Sequence, residues 1–328
     1  MGTTEIVKAL VSPTEKLIDA VSGAIGKAYE PRHIRKMADA KAYELRLIAD
    51  TVRNNSDVPI VYDSTGVSID TSNYEEIAKR ASCRLAFQEI TKQQNIEAIA
   101  DKAYEELEHS DVVNDEPVSQ DWMSRFFNSV EDISDEKMQE MWAHILAGEI
   151  KKPNTYSYRT IEKLKNMTRQ EAELFEKVAG LSLQNTGTFF VINDNAILNA
   201  HGVYFKHLLE LEECGLMSAQ SLSLTIQASQ DEPDYIINDK YIGLIRGKEP
   251  KKKQSLKLNI FAFTESGKQL IKAIHPQIDG QYLIDCLQVI RQKNSNFSIT
   301  AHAINFSLDD GRINYNTDDI LPVPNATM

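Results

Sequence analysis

The chain has 328 residues and a formal net charge of -12. That length suits two or three domains, and 42% hydrophobic with 26% charged residues places it among globular chains. An acidic chain does not hold nucleic acid through its overall field, so any such contact needs a local basic patch.

Cys83, Cys214 and Cys286 are odd in number and form no CxxC pair. This argues against a disulfide framework and a thiolate metal site, and it suits a reducing cytoplasm. Glu5 and Lys8 interrupt the start, so no signal peptide is expected, and no apolar run reaches the length of a membrane span.

In chain order, Ser12-Pro13-Thr14-Glu15 is a capping box with proline at the first helical position. Leu17, Val21, Ala24, Ile25 and Ala28 follow at helical spacing. Gly23 and Gly26 inside this helix cost about 1 kcal/mol each against alanine, which implies a close approach or a bend. Pro31 opens a second helix, giving an N-terminal helical hairpin over 1–53. Residues 54–73 are turn-rich and predict a loop or small hairpin. A helical bundle is expected over 74–166: a pair joined or kinked near Asn95, then a second pair whose last helix is capped by Ser134.

Ser157 and the capping box Thr168-Arg169-Gln170-Glu171 start two more helices. A β-prone stretch (186–194), a helix ending in Cys214-Gly215-Leu216-Met217, and two further β-prone stretches (239–247 and 256–264) follow. Read with the second two as a hairpin, this layout resembles a winged-helix domain over 167–275. Its specific pieces are the glycine-leucine helix exit and Thr264-x-x-Gly267. Residues 276–328 read as a small C-terminal α/β element, with Asp309-Asp310-Gly311 as a hairpin turn. The expected fold is therefore mainly α.

Glu149-x-Lys151 raises the question of a metal-dependent nuclease, in which a carboxylate and a lysine two apart share one face of a strand. Here Met138, Met141, Trp142, Ile145 and Leu146 recur at helical spacing. On a helix, residues two apart point roughly 200° from each other. The stretch reads as a helix end, with Lys151 opposing the helix dipole. His144 reads as a hydrogen-bonded packing residue, and His201 and His207 lack a helical zinc spacing. No GxSxG, Walker A or GxGxxG motif occurs, and Val21–Lys27 lies inside an amphipathic helix. No catalytic residue, metal ligand or cofactor is assigned.

Arg246, Lys248, Lys251, Lys252, Lys253 and Lys257 face only Glu249, an excess of five positive charges. On a wing they would touch phosphates without reading sequence. Glu210, Glu212 and Glu213 make the would-be recognition helix acidic, which argues against base reading. A solvated hairpin in a protein-binding domain is the other reading. Ala20, Gly23, Ala24 and Ala28, followed by Arg32, Arg35, Lys36 and Lys41, allow three roles for the first helix: bundle packing, oligomerisation or peripheral membrane contact.

Trp142, Ile145-Leu146-Ala147-Gly148-Glu149, Pro153, Ser157 and Arg159-Thr160 resemble the signature of a bacterial family catalogued as domain of unknown function 2806. Segments near 16–31 and 92–103 also resemble it, so the resemblance covers roughly 10 to 275. Asn154 stands where that pattern carries glycine and should tolerate the same left-handed turn. The family implies no chemistry. A similar tryptophan and leucine-alanine helix in proteins grouped as abortive-infection alpha implies phage defence, or a mobile-element system, through self-assembly or a protein partner. In this motif Trp142 anchors the helix, Gly148 admits another backbone or begins the exit, and Glu149 is expected to bond Arg159 across the turn at Pro153.

Overall fold

The computed structural model describes residues 10–25, 29, 71–111, 113–307 and 313–323. The second predicted helix and most of the 54–73 loop lie outside the described residues. The chain divides into two compact units, residues 1–161 and 162–328.

The first unit is helical. After β1 (Leu10–Val11), α1 (Pro13–Ile25) begins at the predicted proline. Leu17 and Val21 are buried inside the unit, which favours the packing role for this helix. Next comes α2 (Thr71–Glu108), one continuous helix rather than the expected pair. The Asn95 side chain donates to Glu131 O (2.8 Å), so it reaches across to another helix instead of competing with its own backbone. Beyond it Ile96, Ile99, Ala100, Ala103 and Leu107 are buried at helical spacing. β2 (Val113–Asn114) pairs with β1, and α3 (Gln120–Val130) and α4 (Glu136–Lys151) complete the bundle. The cap of α4 is Asp135, one residue after the predicted Ser134; its carboxylate accepts the Met138 amide. Trp122 stacks on Phe126 (centroids 5.1 Å), whose ring meets Trp142 edge to face at 5.4 Å.

α5 (Tyr158–Lys165) starts after Ser157 as predicted, and the Ser157 hydroxyl accepts the Thr160 amide. The second unit then continues with α6 (Arg169–Ala179), opened by the predicted Thr168–Glu171 capping box. The strands β3 (Leu183–Asn185) and β4 (Thr188–Ile192) form a tight hairpin. Its two turn residues, Thr186 and Gly187, both have positive φ (42° and 81°), as a two-residue primed turn requires. Then come α7 (Asn195–Ala200), α8 (Phe205–Glu213), β5 (Leu222–Ala228), β6 (Asp234–Ile237), β7 (Tyr241–Gly247), β8 (Gln254–Ala262), α9 (Glu265–Ile274), α10 (Gly280–Lys293), β9 (Phe297–Ser307) and β10 (Ile313–Leu321).

The second unit overturns the mainly α expectation. Its strands form one eight-stranded antiparallel sheet in the order β10-β9-β7-β6-β3-β4-β8-β5, so the protein is a mixed α/β fold. The winged-helix reading falls with it, because β7 and β8 are not a hairpin. Three strands stand between them: β7 pairs with β6 and β9, and β8 with β4 and β5. Nor is the C-terminal element a separate appendage. β9 pairs with β7 along Tyr241↔Ala303 to Gly247↔Phe297, and α10 packs on β7 and β9. The predicted β9–β10 hairpin is present, with its turn outside the described residues.

The sheet curls back on itself. The Gly247 amide at the end of β7 donates to Ser229 O just past β5 (3.2 Å). A Cβ on Gly247 would lie 2.7 Å from Ala228 O, so glycine permits this approach. The two sequence pieces that prompted the winged-helix reading do meet. Gly215 leaves α8 with φ 69°, and the Thr264 hydroxyl donates to Gly215 O (2.8 Å) while accepting the Gly267 amide.

Candidate functional site

The Leu-Ala-Gly-Glu stretch is the last turn of α4, as its periodicity predicted. Glu149 is 1% exposed and points inward. Its Oε1 accepts the Asn154 amide (2.7 Å), and its Oε2 accepts those of Thr155 (3.1 Å) and Tyr156 (3.0 Å). The expected bond to Arg159 is not made: Arg159 is exposed, and the carboxylate is taken by the backbone. Asn154 adopts the left-handed conformation (φ 66°) foreseen for the position of the family's glycine, and the turn at Pro153 aims three successive amides back at α4. Burial pushes the Glu149 carboxyl above the ordinary range, against the pull of these amides and of Lys16.

Gly148 makes room for a side chain, not for a backbone. A Cβ there would lie 2.5 Å from the Tyr156 hydroxyl oxygen. Tyr156 O in turn accepts the Trp122 indole N–H (2.8 Å). Trp142 is fully buried, and its own indole N–H has no hydrogen-bond partner among the described residues. The motif therefore builds a loop and a core.

Lys151 faces elsewhere. Glu106 of α2 accepts from its Nζ (3.1 Å) and bonds His144 Nδ1 (2.7 Å), so His144 is the hydrogen-bonded residue its setting predicted. The Glu106 partner is 38 residues from His144, which no local spacing could reveal. Burial pushes the Glu106 carboxyl up, but the bonds from His144 and Lys151 together hold it below the ordinary range. A depressed folded-state value contributes stability at neutral pH that is lost as pH falls through that value. Replacing Glu106 with glutamine should cost about 1 kcal/mol at pH 7, the group being part-exposed. The gap to wild type should close below about pH 4; urea titrations at both pH values measure it.

In the second unit His201, at the end of α7, lies between two carboxylates: Asp279 Oδ2 at 2.6 Å from Nδ1 and Asp285 Oδ2 at 3.0 Å from Nε2. Both ring nitrogens are thus within hydrogen-bond distance of a carboxylate oxygen. The cluster borders an open cleft that includes Lys177, Lys240 and Gln277. Asp279 also caps α10 through its other oxygen, so the group ties α7 to α10. No nucleophile bonds it, and no group of three metal-ligating side chains occurs among the described residues.

The six basic residues run from the end of β7 into β8, along the connection and not on a wing. Lys253 pairs with Glu232 (2.9 Å) and Lys252 with Glu249 (3.0 Å), and Asp231 accepts the Lys251 amide. Arg246 donates to Gln230 O. Lys248 and Lys257 are exposed. With Asp231, Glu232 and Asp234 counted beside Glu249, the excess of five positive charges falls to two.

A further feature is α8. Leu208 and Leu211 are buried beneath it, while Tyr204, Phe205 and Leu209 are 48%, 44% and 42% exposed. Phe205 leans on Phe261 (6.0 Å between centroids) but keeps its outer face in solvent. Sequence reading noticed this helix for its glutamates and its glycine-leucine exit; the apolar outer face needed the inner one to be located first.

These features define a two-unit α/β protein with loop-building and ion-pair clusters and exposed apolar side chains on α8 and, at Ile77, Leu85 and Phe87, on α2. Residues 79–287 match the model of the family described as "Protein of unknown function (DUF2806)", which is more than half of the chain, and the protein belongs to that family. The N-terminal segment near 16–31 that resembled the family lies outside the match. No curated protein and no solved structure matches the chain.

Proposed function

We propose that the protein is a non-enzymatic interaction protein that works by assembling with a second copy or a protein partner. The observation that carries this is the outer face of α8, where Phe205 and Leu209 stand one turn apart in solvent. Large apolar side chains at i, i+4 on an exposed helix are what a docking helix offers. The setting we attach to it, a bacterial phage-defence or mobile-element system acting in the cytoplasm, rests on the likeness of the Trp142–Ala147 helix to abortive-infection alpha proteins. A nucleic-acid role for Arg246 to Lys257 is supported less, given the carboxylates beside them.

Induced expression in a bacterial host should arrest growth, and Leu209→Asp should relieve the arrest while keeping the wild-type melting temperature. Unimpeded growth with the wild-type chain would remove the defence setting. Arrest that survives Leu209→Asp would remove α8 from the role.

A further inference from the structure

We propose that the partner of α8 is a second copy of the same chain, the two α8 helices packing antiparallel across a two-fold axis. The proposal rests on the reading of α8 as a docking helix and adds the identity of what docks. Phe205, Leu209 and Glu213 lie on one i, i+4 row of the outer face, and Lys206 and Glu210 on the next. Lys206, Glu210 and Glu213 are exposed, and none has an ion-pair partner among the described residues.

Lys206 and Glu213 are two turns apart, about 10 Å along the axis. An antiparallel pair centred between Leu209 and Glu210 sets Lys206 of one copy against Glu213 of the other. The two-fold axis makes that contact twice. The two Leu209 side chains meet beside the axis, and each Phe205 covers the far end of the other helix. A parallel pair would set lysine on lysine and glutamate on glutamate. A uniformly basic partner meets Lys206, and a uniformly acidic one meets Glu210 and Glu213. In that register Lys206 and Glu213 complement their own reverse, which is why a second copy fits them, while Glu210 falls opposite Leu209 and beside the other copy's Glu210 near the axis, which opposes association. One nine-residue helix per copy is a small contact, so the dimer should be weak and concentration-dependent.

Sedimentation equilibrium on the full chain, from micromolar to several hundred micromolar, tests this. The wild-type mass should rise from 37.0 kDa toward twice that value. Lys206→Glu alone, or Glu213→Lys alone, should weaken association by about tenfold. The combined swap restores opposite charges across the axis and should return affinity to within about threefold of wild type. The swapped chain should not pair with the wild-type chain when one is isotope-labelled. A double swap as weak as either single change, or a wild-type chain that stays at 37.0 kDa throughout, would overturn the proposal. If the chain stays single while Leu209→Asp still relieves growth arrest, the docking helix stands with a different protein as its partner. If Leu209→Asp changes neither mass nor growth, both readings fail.

Discussion

Replacing Glu149 with alanine is expected to destabilise the first unit by about 3 kcal/mol. The carboxylate accepts three amides at 2.7–3.1 Å, and the Tyr156 amide is buried, so no water replaces its acceptor. Relief of a buried carboxyl offsets part of that loss. Both tryptophans of the chain, Trp122 and Trp142, lie in this unit, so fluorescence-detected urea unfolding reports on it alone. Arg159→Ala should stay within about 0.5 kcal/mol of wild type, as an exposed substitution does. A larger effect at Arg159 than at Glu149 would reverse the assignment.

The pH dependence follows from the raised Glu149 value. A carboxyl whose folded-state pKa lies above its unfolded one contributes most below the ordinary carboxylate range and less as pH rises through the folded value. Glutamine does not titrate, so the advantage of wild type over Glu149→Gln should narrow as pH rises above the ordinary carboxylate range, about pH 4.

Gly267→Ala should have the largest effect in the second unit, about 4 kcal/mol, because overpacking against backbone has no cheap relief. A Cβ at 267 would fall 2.0 Å from Leu216 O, and that carbonyl already accepts the Thr264 amide at 2.9 Å, so it cannot swing aside. The buried Cys286 thiol, raised in pKa by its burial, is a probe for this unit. Its alkylation, read by peptide mass against the exposed Cys83, should speed up by orders of magnitude in the variant. Gly187→Ala, at φ 81° with open space around it, should cost only about 1 kcal/mol. A Gly267→Ala chain as stable as the Gly187 variant would refute the close approach.

What sequence reading caught was local. The Pro13 start of α1, the Thr168 capping box, the left-handed Asn154 and the helical placement of Glu149 each depend on a few neighbouring residues. What it missed was long-range or dropped by analogy. Leu222, Leu224, Ile226 and Ala228 alternate with Ser223, Thr225 and Gln227, a strand signal that a wing hairpin between β7 and β8 leaves no place for. Without β5 and β6, the pairing of the others could only be guessed as nearest neighbours. The Glu149 acceptor was placed correctly at a turn, but a charged partner was sought where three amides sufficed. His201 and its two aspartates are 78 and 84 positions apart, so only the fold brings them together.

The place of β9 beside β7 also dictates an order of events during synthesis. The bundle of the first unit draws only on residues up to 161 and can close while the rest of the chain is still being made. β7 cannot gain its second neighbour until 50 to 62 more residues have emerged, from Gly247↔Phe297 to Tyr241↔Ala303. Until then it carries an open row of amides and carbonyls, the kind of edge on which nascent chains associate wrongly. A chain cut after α9 would keep that edge permanently and should be recovered as aggregate.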